Sequence, residues 1–370
     1  MKKLKCVIMR GGTSKGVFFH ENELPRDLEE RTATILRVMG SPDKRQIDGL
    51  GGADILTSKA IIIGPPSRPD ADVDYIFGQV GITAPTVDYN TLCGNLSAAV
   101  APFAIDEGLV RGNEPHTTVR IWCPTVGRYL GAQVEVKQGK AVYEGDYNMD
   151  GVPGTGSRIS IDFSDTAGLI TGALLPTGNM VDSIAVEGVG SVEVSIVDTS
   201  TVVAFVRGAD LGLSGTEMPQ DIDSDKSLIG KMEAIRLRVA ELTNLAGRSP
   251  LLPMLAVVSP PLDYKNFVSG KTVPAQDLNI VAKVYAAGMM HKAYPVTGAI
   301  ATGAAACIPG TIAHECASEK QDKDADFVIG HFSGLLPMKI GGEFEEGAFK
   351  LKAAEIYRTA RRIMEGHVYI

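Results

Sequence analysis

Asp88-Tyr89-Asn90-Thr91-Leu92-Cys93-Gly94-Asn95-Leu96-Ser97-Ala98-Ala99-Val100 joins two kinds of sequence. Upstream, Val73 to Val87 alternates in the period of a strand. Downstream, Leu96 to Ile105 is a small-residue and apolar run that reads as a helix. The junction sets a thiol where the first-turn N–H groups of a helix have no partner within the helix. Such a position favours thiolates and docks anions. Gly94 lets a ligand approach the backbone and Asn95 adds a side-chain donor. A buried structural cysteine fits the same residues, so the local sequence leaves both readings open.

The order of features around this junction occurs twice. In the first half a glycine-rich turn, Arg10-Gly11-Gly12-Thr13-Ser14, precedes a helix over about Leu28–Met39, and the strand Ala60-Ile61-Ile62-Ile63 runs into Pro65-Pro66. In the second half Pro176-Thr177-Gly178-Asn179 supplies the expected turn. The helix spans about Leu228–Leu245, and Met254 to Val258 leads to Pro260-Pro261. The counterpart of the cysteine turn is Thr297-Gly298-Ala299, opening the small-residue stretch Ala301–Ala306. Two copies of a β-rich unit around a central helix are expected, an α+β architecture. The first half is read as 1–175, joined by 350–370, and the second as 176–349. Strands are read at Val119–Trp122, Gln133–Val136 and Ser191–Ile196. The tail, about Ala353–Met364, reads as a basic helix whose Arg358, Arg361 and Arg362 face solvent or the other domain.

At 370 residues the chain exceeds one ordinary core. A net charge of −8, no basic stripe and a single tryptophan (Trp122) argue against nucleic acid as a partner. Five scattered cysteines (Cys6, Cys93, Cys123, Cys307, Cys316) without a C-x-x-C pair argue against a disulfide framework or a four-thiolate zinc site. They favour a reducing compartment. No apolar run approaches the length of a bilayer span, and the opening apolar run is short for a signal peptide. The expected location is the cytoplasm, with no membrane partner.

Lys59 stands directly before an isoleucine-rich strand, where partial desolvation suits an amine to act as a general base. Met9–Gly16 offers a nest of N–H groups with an arginine fork for a carboxylate; a glycine turn between strands is the plainer reading. Its spacing is not that of a P-loop. Gln46-Ile47-Asp48-Gly49-Leu50-Gly51-Gly52 is a second glycine-rich turn, and neither matches a dinucleotide fingerprint, so no nicotinamide or flavin cofactor is expected. His291, beside Lys292 and Tyr294, is the one histidine near a candidate site. Asp70, Asp72 and Asp74 alternate as if on one strand face. No residue spacing suggests a metal.

Taken together, Met9-Arg10-Gly11-Gly12-Thr13-Ser14-Lys15-Gly16, Gln46-Ile47-Asp48-Gly49, Leu56-Thr57-Ser58-Lys59, Cys93-Gly94-Asn95, Pro176-Thr177-Gly178-Asn179 and Ala360-Arg361-Arg362-Ile363-Met364 resemble the PrpF family, from Met9 to about His367. That family includes 2-methylaconitate isomerase, methylitaconate Δ-isomerase, 4-oxalomesaconate tautomerase and aconitate Δ-isomerases. The resemblance implies a diaminopimelate-epimerase-like fold of two pseudo-symmetric domains, each a β-sheet or barrel around a central helix. It also implies cofactor-independent proton transfer on carbon, with the catalytic lysine and cysteine falling on Lys59 and Cys93. The expected substrate is a small carboxylate, held by Arg10, Gly11, Gly12, Thr13, Ser14, Gln46, Gly94, Asn95, Lys292, Thr297, Gly298 and Ala299. One departure is Leu92, where members often carry Asn before Cys-Gly-Asn. Epimerases of this fold use two opposed cysteines. Here the second half offers Thr297, and Cys307 lies about ten residues further on, which disfavours racemisation of an amino acid. The expected reaction is a 1,3-allylic proton shift in an unsaturated di- or tricarboxylate. The alternatives are cis–trans isomerisation of aconitate-like acids and noncatalytic carboxylate binding. A homodimer is compatible with the sequence, which leaves the oligomeric state open.

Overall fold

The computed structural model describes residues 2–249, 252–286, 288–318 and 325–370. They divide into two units, one of residues 1–162 with 357–370 and the other of residues 163–356. The divisions thus fall at 162/163 and 356/357, against the expected 175/176 and 349/350.

The first unit opens with a hairpin. Strand β1 (Lys3–Gly11) pairs antiparallel with β2 (Ser14–His20), and Gly11 faces Ser14 across a two-residue Gly12-Thr13 turn. Gly12 takes φ +52°, as tight hairpin turns require. Helix α1 (Leu28–Met39) starts on Asp27, whose side chain accepts from the Glu30 N–H, and ends on Gly40 in the left-handed conformation. The chain returns as β3 (Lys59–Gly64), parallel to β2, and β4 (Val73–Val80), antiparallel to β3. Every residue of β3 is buried because both of its faces are covered. Ala60 and Ile62 join Ile35, Val38 and Met39 of α1 in one core. Lys59, Ile61 and Ile63 point the other way, where Ile61 meets Leu96 against Gly16. Helix α2 (Ser97–Asp106) is buried all round from Ser97 to Ile105, the mark of a helix enclosed by other elements. It packs on β1, on His116–Cys123, Arg128–Lys137 and Ile159–Asp162, and on the C-terminal strand Ala360–Tyr369.

The second unit repeats this plan strand for strand. A hairpin (Gly190–Thr199 with Thr201–Arg207) is followed by helices α3 (Pro219–Ser224) and α4 (Lys226–Leu242). Met254–Ser259 then pairs parallel to the second hairpin strand, and Ile280–Ala286 pairs antiparallel to it. The buried helix α5 (Val296–Cys307) follows, then Phe327–His331 parallel to Ile280–Ala286, and Gly334–Glu345 antiparallel to that. The first unit has the same sequence of pairings, with α2 in the place of α5. The duplication is therefore real. Its hairpin turn is Ser200, at φ +56°, and not the expected Pro176–Asn179, whose Thr177 and Asn179 side chains bond Asp182 instead.

The tail is not a helix. Ala348–Arg358 and Ala360–Tyr369 are strands, and the latter pairs along β1 from Lys3↔Tyr369 to Gly11↔Ala360. Residues 356–360 are buried without a break, and pairing of Ala353 and Ala354 with Gly341 and Ile340, and of Ala360 with Gly11, overrides the local helix propensity of the alanines. Arg361 is exposed, but Arg358 is buried and Arg362 bonds Glu107. Asp70 and Asp72 also depart from expectation. Both precede β4 in a loop and bond Tyr129 and the Arg120 N–H.

Glu107, at the end of α2, receives Lys5 Nζ and His20 Nε2, each at 2.9 Å, and Arg362. Burial alone raises its pKa, but the hydrogen bonds from His20, Arg362 and Lys5 outweigh that and hold it at about 2. A carboxyl depressed from 4.5 contributes stability that is complete above about pH 4.5 and is lost as pH falls towards 2. Glu107→Gln should cost about 2 kcal/mol of stability at pH 7, the worth of charge-assisted bonds, and so lower the melting temperature. It should also flatten the melting temperature between pH 4.5 and 2 relative to the unsubstituted protein. A variant that melts with an unchanged acid limb would count against this.

Candidate active site

In the first unit Lys59 and Cys93 each approach side chains of β4, Lys59 at Phe77 and Cys93 at Tyr75. Lys59 is 7% exposed and begins β3. Its Nζ donates to Gln79 Oε1 at 2.6 Å and lies 4.9 Å over the Phe77 ring. Gln79 is Lys59's register partner on β4. The Gln79 amide nitrogen donates to the carbonyls of Ile55 and Ser58, so its oxygen is left facing the lysine. Tyr75, Phe77 and Gln79 share a face of β4 by strand alternation. Cys93 lies near the Tyr75 hydroxyl. Burial first, and the neighbouring Cys93 second, hold the Tyr75 phenol far above its ordinary pKa, so it keeps its proton beside the thiol.

Cys93 is 8% exposed and caps the start of α2. Its Sγ accepts from the Leu96 N–H at 3.5 Å, and its carbonyl accepts from the Ser97 N–H and Oγ. The N–H groups of Gly94 and Asn95 bond to none of the described residues. They are the free donors that a helix start offers an anion. The Gly11–Ser14 turn is pressed against these residues. A Cβ on Gly11 would stand 2.7 Å from the Asn95 carbonyl oxygen, and one on Gly12 would stand 2.2 Å from Asn95 Oδ1. Asn95 Nδ2 donates to Thr13 Oγ1 at 3.0 Å. Arg10 uses Nη1 to brace the turn through the carbonyls of Gly12 and Thr359, at 3.0 and 2.9 Å. It has no acidic partner among the described residues, and burial, then Arg361, lower its pKa. The Ser14 hydroxyl is buried without a partner among them. Gly11, Gly12 and Thr13 therefore meet Asn95 directly after Cys93 and Gly94 as a donor-rich patch, with Arg10 bracing the turn.

Gln46 does not join them. It is 1% exposed, and both ends of its amide are bonded: Nε2 donates to Ser41 Oγ, and Oε1 accepts from the Ala53 N–H and from Ser58 Oγ at 2.7 Å. It braces the loop leading to Lys59. Gly49 in the same motif lies against the end of α1, where a Cβ would be 2.1 Å from the Gly40 nitrogen.

In the second unit Thr297, Gly298 and Ala299 form the first turn of α5. Ala299 is no free donor, because its N–H bonds the Pro295 carbonyl at 2.8 Å. Lys292 is exposed, and its carbonyl accepts from Ser333. Three positions here were missed from the sequence. Gln79 had a signal, as the polar residue closing the inward row Tyr75-Phe77. Arg358 had none in its own segment, since its burial follows from strand pairing with distant residues. Lys283, buried over Phe332 and donating to the Glu217 carbonyl at 2.7 Å, had none; burial lowers its pKa to about 8. Among the described residues no three His, Cys, Asp or Glu side chains gather as a metal site.

The repeated hairpin–helix–strand plan around a buried helix is the diaminopimelate-epimerase-like fold. A hydroxyproline epimerase structure from Agrobacterium vitis superposes with a TM-score of 0.57 at 12% identity, covering 99% of this chain and 92% of that one; it bears on the fold alone. A structure of methylitaconate-delta-isomerase matches with a TM-score of 0.91 and 46% identity over 100% of this chain and 96% of that one. The family model described as PrpF protein matches residues 1–370. The chain belongs to the PrpF family. Among curated relatives, 3-methylitaconate isomerase of Eubacterium barkeri is 47% identical over 100% of this chain and 97% of its own. A 2-methyl-aconitate isomerase of Shewanella oneidensis is 38% identical, covering 100% and 97%. A 4-oxalomesaconate tautomerase of Pseudomonas putida is 38% identical, covering 100% and 96%. As the sequence resemblance implied, this chain is an isomerase.

Proposed function

We propose that the protein moves a carbon–carbon double bond by a 1,3-proton shift in a small unsaturated di- or tricarboxylate of the methylitaconate, aconitate or 4-oxalomesaconate type. The observation that carries this reading is an amine beside Phe77 and a thiol beside Tyr75, two side chains on one face of β4, with a donor-rich turn next to the thiol. The names of the relatives supply the substrate class. A C–H next to a carboxylate is a weak acid. Its removal needs a positioned base and donors aimed at the oxygens that gain charge. Lys59 takes the proton, and the electron pair spreads over the allyl system into the carboxylate. Gly94, Asn95, Thr13 and Arg10 hold the carboxylates, and Cys93 delivers a proton to the far allylic carbon. One C–H bond breaks, one forms and the double bond shifts. The change is redox-neutral, so its chemistry calls for no electron carrier. Leu92, a rim residue, bears on which member of the class fits. All five cysteines are free thiols, which supports a cytoplasmic location, and no described helix is long and apolar enough to cross a membrane.

The test is incubation in D₂O with methylitaconate, cis- and trans-aconitate and 4-oxalomesaconate, followed by NMR. The expected product has a migrated double bond and deuterium at the newly protonated carbon. A geometric isomer with the double bond in place would replace this reaction by cis–trans isomerisation. Binding without turnover of any of the four would leave only a carboxylate-binding role.

A further inference from the structure

Arg358 closes the Ala348–Arg358 strand, is 7% exposed, and has no carboxylate partner among the described residues. Its Nη1 donates to the Tyr357 carbonyl at 2.7 Å and its Nε to Asn95 Oδ1 at 3.2 Å. A buried guanidinium without a counter-ion is costly unless an anion completes it. Burial lowers its pKa only to about 10, so it remains charged at neutral pH.

The direction of the hydrogen bonds from this arginine follows from its chemistry. A guanidinium carries donors only, so the Asn95 atom facing it must be the carbonyl oxygen. The Asn95 amide nitrogen is thereby turned to Thr13 and donates to its Oγ1 at 3.0 Å. With that lone pair taken, the Thr13 hydroxyl hydrogen points elsewhere, and no described residue accepts it. Gly12 makes the arrangement possible, since any Cβ there would occupy the place of the Asn95 amide.

We propose that Arg358 is a positioning residue: through Asn95 it makes the Thr13 hydroxyl an obligate donor to a substrate carboxylate. The proposal rests on the carboxylate-isomerase reading above. It adds that the anion site is held in one hydrogen-bond polarity by a residue that does not react.

Binding of 2,3-dimethylsuccinate, a saturated analogue of methylitaconate, is measured by calorimetry beside KM and kcat for methylitaconate. Arg358→Gln lets the Asn95 amide turn over, and Thr13→Val removes the donor. Each should weaken binding ~10–100-fold, the range for a charge-assisted bond, with KM moving more than kcat. The double variant should be little worse than either single one. Arg358→Lys keeps charge and donor-only character and should restore most of the affinity, as Thr13→Ser should.

Asn95→Asp gives an independent readout if Arg358→Gln folds poorly. A carboxylate pairs with Arg358 but cannot donate to Thr13, so the hydroxyl turns inward. The variant should melt no lower than the original protein and still lose affinity by a similar factor. Additive effects of Arg358→Gln and Thr13→Val, or an Asn95→Asp variant with unchanged binding, would overturn the relay. Normal affinity in Arg358→Gln with intact turnover would do the same while leaving the isomerase reading standing. An original protein that binds the analogue with the predicted variant pattern, yet isomerises nothing, would support the relay and reject the proton shift. Neither binding nor turnover would overturn both.

Discussion

Lys59→Met is expected to abolish isomerisation and solvent exchange of the substrate hydrogen together, by roughly 10³-fold or more, since a positioned general base contributes about 10²–10⁴. Methionine keeps an apolar side chain of similar length and removes the amine that bonds Gln79 and lies over Phe77. The variant should therefore fold and still bind 2,3-dimethylsuccinate. Cys93→Ser separates the second half of the reaction. The hydroxyl fills the same space at the α2 start and can accept the Leu96 N–H, but it is a far weaker proton carrier than a thiol. If the cysteine supplies only the second proton, the serine variant should keep washing substrate hydrogen into D₂O while its isomerisation falls by about 10²-fold or more. The opposite pattern, with exchange lost in Cys93→Ser and kept in Lys59→Met, would make Cys93 the base. Near-normal turnover in either variant would mean that the site is misplaced.

Much of this arrangement was legible in the sequence because it depends on local rules. Helix α1 declares itself through Asp27 and Gly40, and the strand at Ala60–Ile63 through unbroken β-branched residues. The two buried helices show in their small-residue composition, since a helix enclosed on every side by strands has no polar face. The duplication showed as an order of features. The mistaken counterpart of the hairpin turn came from weighting glycine, where the second unit uses a single residue, Ser200, in the left-handed conformation.

What stayed hidden depends on pairing between segments far apart in sequence. Ala353 to Met364 has helical composition and becomes strand because two other strands take it up: Ala353–Ile356 pairs with Met338–Gly341, and Ala360 onward with the edge of β1, more than 300 residues earlier. With the strand assignment, Arg358 turns from a surface charge into a buried donor on Asn95. Gln46 was misread for the complementary reason. A glutamine in a glycine-rich loop looks available, yet three protein partners engage its amide. Nothing in its own segment announces Ser58 as one of them. Gln79 was within reach, because strand alternation alone puts it on the face of Tyr75 and Phe77.

The contact between the hairpin and the cysteine helix is where fold and chemistry meet, and Gly11→Ala should expose it. Gly11 ends β1 in backbone that alanine adopts without strain, so the effect of the substitution is steric. The new methyl would lie 2.7 Å from the Asn95 carbonyl oxygen, 3.0 Å from Leu96 Cα and 3.2 Å from Ala99 Cβ. The two nearest atoms are backbone and cannot rotate away, so the turn and the helix start must separate by several tenths of an ångström. Overpacking of this kind costs about 1–3 kcal/mol, which a protein of this size tolerates. The site is less tolerant, because Thr13 lies on one side of the contact and Cys93 with Asn95 on the other. A displacement approaching 1 Å is worth about 10²-fold in rate. Gly11→Ala should therefore melt a few degrees lower and lose about 10²-fold in kcat/KM. Gly230→Ala offers the contrast. It is exposed on α4 with no atom within 4 Å of its new methyl, and it should gain about 0.5–1 kcal/mol from helix propensity with kcat/KM unchanged. A Gly11→Ala protein with full kcat/KM would show that the grip of the hairpin on the helix start does not set the geometry of the reacting groups.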